Sequence, residues 1–499
     1  MKRFFILFVM LVVLLLFSCS SSHSSNDTDI LPDSDEDTQD LETQDDDSDS
    51  QSSEIVDDYD EQTDEDNEPD SEEPDPDDEE PDETNEEIFE KTEPINGYKR
   101  CYDKIPAGDY EGLFASSKLE SQIKQSLGYD DDYKLTEEDL EKVKEITLSV
   151  KDIRGVEKLI NLESVTISTG KIYDYTPLSK LKKLKEIKID ASSMSCLDAS
   201  FSLLTTLETL EIEETKLKDV SPVEQLVNLI NLDLFYNQLE FLPENLGNLQ
   251  KLEWFSFTHN NVENIEPLNS LINLRELFFH YNYVEDISPI KDLVNLTYLG
   301  FNSNRIRDIS AVTNLVNLTY YLGANQNQIE NIPKEITNLK KLQEIDLTFN
   351  KISNLPEMKG LNSIVTLRLS NNALNNEDLM KLDDLESVKF LDVALNKKIT
   401  KVPVMKKVKS LKELYLNYNS ITDLSGFADN ESFPALKSVY LGSNKISDAE
   451  AFRNRKGLNR LSIGNNCITD LSPLEELKES GTHVVGINEQ LESCEDTGE

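Results

Sequence analysis

Eleven asparagines constrain this chain more than any other feature. They stand at Asn237, Asn260, Asn282, Asn304, Asn327, Asn350, Asn372, Asn396, Asn419, Asn444 and Asn466, separated by steps of 22 to 25 residues. Ahead of each runs the same apolar skeleton, Leu-x-x-Leu-x-Leu-x-x-Asn. It is clearest in Leu229, Leu232, Leu234, Asn237 and is repeated as Leu252, Phe255, Phe257, Asn260 and as Leu274, Leu277, Phe279, Asn282. A period this regular specifies a solenoid of stacked coils. The Leu-x-Leu alternation sends alternate side chains to one face of a short strand. The Asn amide is placed to bond backbone groups of adjoining turns, closing the bend after each strand.

The array extends upstream in a degenerate form. Lys151, Gly170, Ser192 and Thr215 stand where Asn is expected, while Leu184, Ile187, Ile189 and Leu207, Leu210, Ile212 keep the skeleton. With a last turn at Asn488, this gives about sixteen coils in a solenoid spanning 145–499. The longer steps ending at Asn396 and Asn444 are expected to be taken up in loops. Leu318 to Asn327 carries one extra residue, which predicts a β-bulge at Tyr320 to Leu322.

The pattern from Lys142 to Asn488 resembles leucine-rich repeats. The segments Asp219-Val220-Ser221-Pro222, Asp286-Ile287-Ser288-Pro289 and Asp470-Leu471-Ser472-Pro473 are similar to the return side of the 22-residue bacterial subtype found in internalins. Leu242-Pro243 and Ile332-Pro333 are closer to longer repeats of the same family, so the array is mixed. The resemblance implies an α/β solenoid, a horseshoe with a parallel β-sheet on its concave face. It also implies a protein-binding role for that face.

Ahead of the repeats, Leu119, Ile123 and Leu127 recur on one helical face that ends at Gly128. Thr136 with Asp139 is a capping-box start before Leu140 and Val143. Residues 97–144 are therefore expected to form a helical N-terminal cap over the first coil.

Residues 19–96 are of another kind. Between Asn26 and Glu93 there are 35 Asp or Glu against the single Lys91, which accounts for most of the net charge of −48. Such a segment cannot bury enough apolar surface to offset ordering entropy, so it is expected to be a disordered, extended linker. Its Asp runs lack the Gly that a calcium loop requires, since the first Gly is Gly97. With no basic stripe to contact phosphates, nucleic acid is excluded as a partner.

Residues 1–18 form a targeting segment: Lys2 and Arg3, then an unbroken apolar run from Phe4 to Phe17. The ending Leu16-Phe17-Ser18-Cys19 resembles the lipobox of bacterial lipoprotein signal peptides. That resemblance implies cleavage before Cys19 and its acylation, so that Cys19 is a lipid anchor in the bilayer. Ser20 after it implies the outer membrane. An uncleaved signal anchor and a plain secretory signal are the alternatives. The other cysteines, Cys101, Cys196, Cys467 and Cys494, belong to an exported chain in which disulfides are permitted. Of three possible pairings, the local ones, 101–196 and 467–494, are expected.

No catalytic constellation appears: there is no phosphate loop, HExxH or nucleophile elbow, and no cofactor is implied. His259 and His280 precede Asn260 and Asn282 on successive coils, with Glu276 nearby, but two solvated histidines explain them better than a metal site. The positions the motif leaves free carry more. Beside the buried leucines stand Phe235, Tyr236, Trp254, His259, Phe278, His280, Tyr281 and Tyr298, followed by Tyr283 and Tyr321. A second group, Phe390, Tyr415, Tyr418 and Tyr440, lies further on, and the early coils carry Asp190, Glu211, Glu213 and Glu214 instead. Cross-strand aromatic pairs stabilise sheets without a partner. An exposed aromatic run is also what protein-binding anchors look like. The expected function is a membrane-anchored recognition protein of the bacterial envelope, binding a protein through its concave face. Glycan binding is the alternative, and an enzyme or a phosphatase regulator is disfavoured.

Overall fold

The computed structural model describes residues 88–494 apart from 108, 111, 170–171, 191–192 and 430. The targeting segment, Cys19 and the acidic stretch as far as residue 87 lie outside the described residues.

Sixteen strands, β3 (Glu145–Leu148) to β18 (His483–Val485), form one sheet in strict chain order. Neighbouring strands are parallel and in register, as in β7 (Asn231–Asp233) on β8 (Trp254–Ser256) and β8 on β9 (Glu276–Phe278). The strands are three to five residues long because only the Leu-x-Leu core of each repeat is extended. The return side consists mainly of 3-10 turns. Several start where an Asp side chain accepts the N–H two residues on, as Asp219 does from Ser221 (2.7 Å) and Asp286 from Ser288 (2.7 Å).

All three skeleton positions are buried in each coil from Leu229 to Ile463, and burying a large apolar side chain there stabilises by ~1.5–3 kcal/mol. In mid-array, phenylalanine replaces leucine and forms a stacked column. Phe257 and Phe279 lie 5.5 Å apart and Phe279 and Phe301 5.6 Å apart.

The asparagines form a continuous ladder. Asn282 Nδ2 donates to the carbonyls of Phe257 (3.0 Å), Phe279 (3.2 Å) and His280 (3.1 Å), and its Oδ1 accepts from Val262 N (3.0 Å). Each rung thus ties its own bend to the coil before it. At the first rung, Thr215 stands in for asparagine and its hydroxyl bonds Asn237. At the last, the residue is Gln490 and not Asn488, which is exposed. Gln490 Nε2 donates to Ile463 O (3.1 Å) and Gly486 O (2.8 Å), and its Oε1 accepts from Ile468 N (3.4 Å). The longer side chain reaches the same groups from further along the chain.

The extra residue of the coil after Leu318 does not interrupt a strand. β11 (Tyr321–Gly323) pairs in unbroken register with β10 (Tyr298–Gly300), and the insertion is Tyr320, looped out at the strand entrance. The 24-residue step ending at Asn396 holds a short helix, Asn376–Lys381, and the 25-residue step ending at Asn444 holds Ser425–Ala428.

The N-terminal end is more than a helical cap. Helix α1 (Ser117–Leu127) begins at Ser116, whose side chain accepts from Leu119 N, and ends at Gly128 with φ 73°. It buries Leu119 and Ile123 and packs against β3. Helix α2 (Glu137–Leu140) starts with the Thr136/Asp139 capping box. Before them, β1 (Ile88–Lys91) and β2 (Lys104–Ala107) pair antiparallel, so ordered structure starts upstream of residue 97 and residues 97–107 are not helical. The connection between β1 and β2 lies along the return side of later coils. Asn96 bonds Ser202 (2.9 Å), Tyr98 Oη donates to Glu224 (2.6 Å) and Arg100 pairs with buried Asp198 (2.9 Å). Cys101 is bonded to Cys196, with Cα atoms 5.8 Å apart, and Cys467 to Cys494, with Cα atoms 5.3 Å apart.

Candidate functional site

The repeat holds the aromatic residues at three structural positions. Trp254, Phe278 and Tyr298 stand on the strands themselves, beside the buried leucines, and are half-buried. They form a floor in which Trp254 and Phe278 are 6.2 Å apart, and Tyr298 is stacked on the looped-out Tyr320 at 4.7 Å. Trp254 and Tyr298 flank Glu276 in the strand register.

Tyr236, His259 and Tyr281 occupy the position just before the ladder asparagine, beyond the strand ends. The chain there turns through the left-handed region, with φ of 54°, 56° and 52°. Every coil from Glu214 to Asn465 repeats this turn, which swings the asparagine under the strand ends. A side chain bearing Cβ is strained in this conformation, by roughly 1 kcal/mol, and only Gly, Asn and Asp adopt it readily. Asn371 and Asn465 meet that preference. The rings at 236, 259 and 281 do not, and they line up as a rim. His259 stacks on Tyr281 at 4.1 Å and lies 5.3 Å from Tyr236, while Phe235 meets His259 edge-on at 5.6 Å. Tyr236 is 57% exposed and Tyr281 44%.

His280 belongs to neither set. It was expected to face a partner, but it is buried: its Nδ1 accepts from Asn302 N (2.9 Å) and its ring covers Gly300 so closely that a Cβ there would collide with it. Loss of hydration pushes its pKa down to about 3, so the ring is neutral. Tyr321 likewise lies over Gly323. Glycine at position 3 of β10 and β11 is what lets these rings lie flat.

The second aromatic group is a ladder of its own. Phe390 and Tyr415 are 5.0 Å apart and Tyr415 and Tyr440 4.2 Å. It is flanked by the chain's own cations, Arg368 over Phe390 (5.1 Å) and Arg460 over Tyr440 (5.9 Å). Tyr418, again at the left-handed position, is exposed.

Comparison with known proteins bears on this arrangement. A family described as Leucine Rich repeats (2 copies) matches residues 409–454. No curated protein sequence matches the chain. Among solved structures, an internalin, InlF of Listeria monocytogenes, is 26% identical with a TM-score of 0.50, over 75% of this chain and 95% of its own. The functional domain of InlJ from the same organism is 21% identical with a TM-score of 0.59, over 73% and 77%. A leucine-rich repeat protein of Leptospira interrogans is 22% identical with a TM-score of 0.58, over 70% and 98%. The chain is an internalin-like leucine-rich repeat protein.

In this internalin-like protein the acidic residues sit beside the aromatic floor. Burial raises the carboxyl of Asp233, and the neighbouring Glu213 charge adds to the shift; burial and Glu211 raise Glu213 in the same way. Burial lowers the pKa of His259, so it joins the rim as a neutral ring. Among the described residues no group of three or more His, Cys, Asp or Glu could hold a metal ion, and no helix is long and apolar enough to cross a membrane. The Asn-Leu pairs that open several of the skeletons form a second ladder on the edge leading into the strands. In it Asn273 bonds Gln250 O (2.7 Å), Asn295 bonds Ile272 O (2.9 Å) and Asn317 bonds Val294 O (2.9 Å). Its signal is present in Asn228, Asn273, Asn295 and Asn317, which recur at the repeat period ahead of the skeleton.

Proposed function

We propose that this chain is an envelope lipoprotein of a bacterium, held in the outer membrane by acylated Cys19, that grips a protein partner with the concave face of its solenoid. The grip would be centred on the floor of Trp254, Phe278 and Tyr298 and on the rim of Phe235, Tyr236, His259 and Tyr281. The observation that carries the reading is the rim. Large rings stand exposed at left-handed positions where the backbone favours asparagine, so the fold alone gives no reason for them. Anchors of protein interfaces are such rings, and tyrosine brings large contact area at little entropic cost. The acidic stretch would serve as a spacer between anchor and solenoid.

The test is capture of a partner by the full chain, set beside a Tyr236→Asn/Tyr281→Asn variant in which the turn is kept and the rings removed. The expected result is loss of capture with unchanged stability; equal capture by both would refute the site. A glycan array run in parallel distinguishes sugar from protein. For the anchor, Cys19→Ala is expected to release the protein from the membrane, and globomycin to block its processing. Attachment unaffected by the substitution would sink that part of the reading.

A further inference from the structure

The chemistry of the partner follows from what borders the rim. On the preceding strands, β5 (Glu186–Asp190) and β6 (Thr209–Glu213), the free positions are acidic except for Lys188 and Thr209. Register sets Asp190 beside Glu213 and Glu211 beside Asp233. Neighbouring strands are ~4.8 Å apart, and like charges directly side by side destabilise a sheet. Lys188 is the only cation at the free positions of β5, β6 and β7, and it is engaged by Glu211 (2.8 Å) and Glu186 (3.4 Å). Burial compounds the repulsion at Asp233 and Glu213. Asp233 has a local role, its Oδ1 accepting from Phe235 N (3.0 Å) as Asp346 and Asp392 do in their coils, but the same position on β10 and β11 is glycine, so the strand does not require a carboxylate there.

The rings bordering these carboxylates stack on one another but remain open to solvent, Tyr236 being 57% exposed and Tyr281 44%. Elsewhere in the solenoid two rings carry the chain's own guanidinium groups, the exposed Tyr283 with Arg305 at 4.4 Å and the half-buried Phe390 with Arg368 at 5.1 Å. Among the described residues no such cation lies over Tyr236, Tyr281 or Trp254. A cation over an aromatic face gains about 0.5–2 kcal/mol, and a carboxylate beside it adds a charge-assisted hydrogen bond. A neutral glycan would leave the carboxylates repelling one another, and a phosphate-bearing ligand would be repelled.

This inference rests on the concave-face reading and deepens it. We propose that the partner is a protein presenting an extended basic segment, whose Lys or Arg side chains lie over the Tyr236–His259–Tyr281 rim and against Glu211, Glu213 and Asp233.

The whole protein has a large negative charge, so the assay must exclude binding to its acidic stretch. A random peptide library displayed on phage would be selected on the full chain and counter-selected on the Tyr236→Asn/Tyr281→Asn full chain, which carries the same acidic stretch. The expected survivors are enriched in Lys and Arg. Synthetic survivors lacking Trp would then be titrated against Trp254, the single Trp of the chain and so a reporter confined to the floor. Asp233→Asn/Glu213→Gln, which keeps shape and relieves repulsion, is expected to weaken binding tenfold or more. Survivors that are neutral or acidic, or affinity unchanged by that pair, would overturn the basic-partner inference while leaving the concave site standing. A library with no survivors after counter-selection would overturn the concave site itself.

Discussion

Removing one rung of the ladder should be costly, and the hydrogen bonds around Asn282 identify which atom bears the loss. In Asn282→Ala, the carbonyls that Asn282 serves all keep another donor. Phe257 O still receives Asn260 Nδ2 (3.0 Å), Phe279 O receives Asn304 Nδ2 (2.9 Å) and His280 O receives His259 N (2.9 Å). The orphan is Val262 N–H, whose acceptor is Asn282 Oδ1 at 3.0 Å in a site where Asn282 is 4% exposed. One buried, unsatisfied donor costs about 1–3 kcal/mol, and the lost amide volume adds a little. The expected destabilisation is therefore about 2–3 kcal/mol. Asn282→Asp keeps the acceptor but faces three carbonyls with a charge, and should be worse at neutral pH by at least ~1 kcal/mol. Its carboxyl, disfavoured in the folded state when ionised, would have a folded pKa above the unfolded value of ~3.9. Its excess penalty should thus be complete above the raised folded pKa and vanish as pH falls below ~3.9. Denaturant titration read at Trp254, one coil before Asn282, follows the affected coils directly, which matters in a solenoid whose coils need not unfold together. A change below ~0.5 kcal/mol for alanine, or aspartate no worse than alanine at pH 7, would refute this reasoning about the ladder.

Gly300→Ala should destabilise by about 1–3 kcal/mol through collision with the His280 ring, and adding His280→Ala should recover part of the loss, as a double-mutant cycle would measure. His280, with a pKa pushed to about 3, is neutral when folded; its contribution is complete above the unfolded value of ~6.5 and is lost as pH falls towards 3, so NMR titration should show its ring still mainly neutral at about pH 5, below the ordinary histidine value. Asparagine at 236, 259 and 281 together should leave stability unchanged or raised by up to ~2 kcal/mol by thermal denaturation, since relieved strain offsets lost ring stacking. Cys101→Ser opens a covalent loop spanning 95 residues, worth about 4–5 kcal/mol in the chain-entropy view, and should expose residues 92–103 to limited proteolysis.

How much of this was legible depended on whether a feature repeats. The coils, the stacking and the Asn ladder follow from a local pattern that every repeat restates, so each is visible from its own residues. The hairpin of β1 and β2 is not visible in this way. Its connection is held by Asp198, Ser202 and Glu224, about 100 residues away, and nothing in residues 92–104 has a period to mark those partners. His280 resembles its exposed neighbours in sequence because its burial depends on Gly300 in the next coil. Gln490 is hidden because the rung is expected as asparagine at a fixed step, while a longer side chain reaches the same groups from a different offset. The expected bulge is displaced because a strand can shed an extra residue at its entrance, where Tyr320 has room and a stacking partner in Tyr298.

The left-handed turn before each asparagine separates architecture from use. Its conformation is imposed by the ladder, so it occurs whatever side chain stands there, and residues as unlike as Ser303, Gln326, Phe349 and Leu395 all adopt it. The backbone therefore exerts the same preference at every coil, in favour of asparagine or glycine. Departures from that preference are not offset by packing where the side chain is half exposed or more, as at Tyr236. What sets Tyr236, His259 and Tyr281 apart from the departures at other coils is that all three are rings in contact with one another, and border both the aromatic floor and the carboxylates of β6 and β7. Three contacting rings on consecutive strained turns, at one end of a contiguous aromatic and acidic surface, are the pattern expected of a site held for a partner. An isolated exposed ring such as Phe349, whose flanking coils carry Gln326 and Asn371 at the same position, carries no such implication.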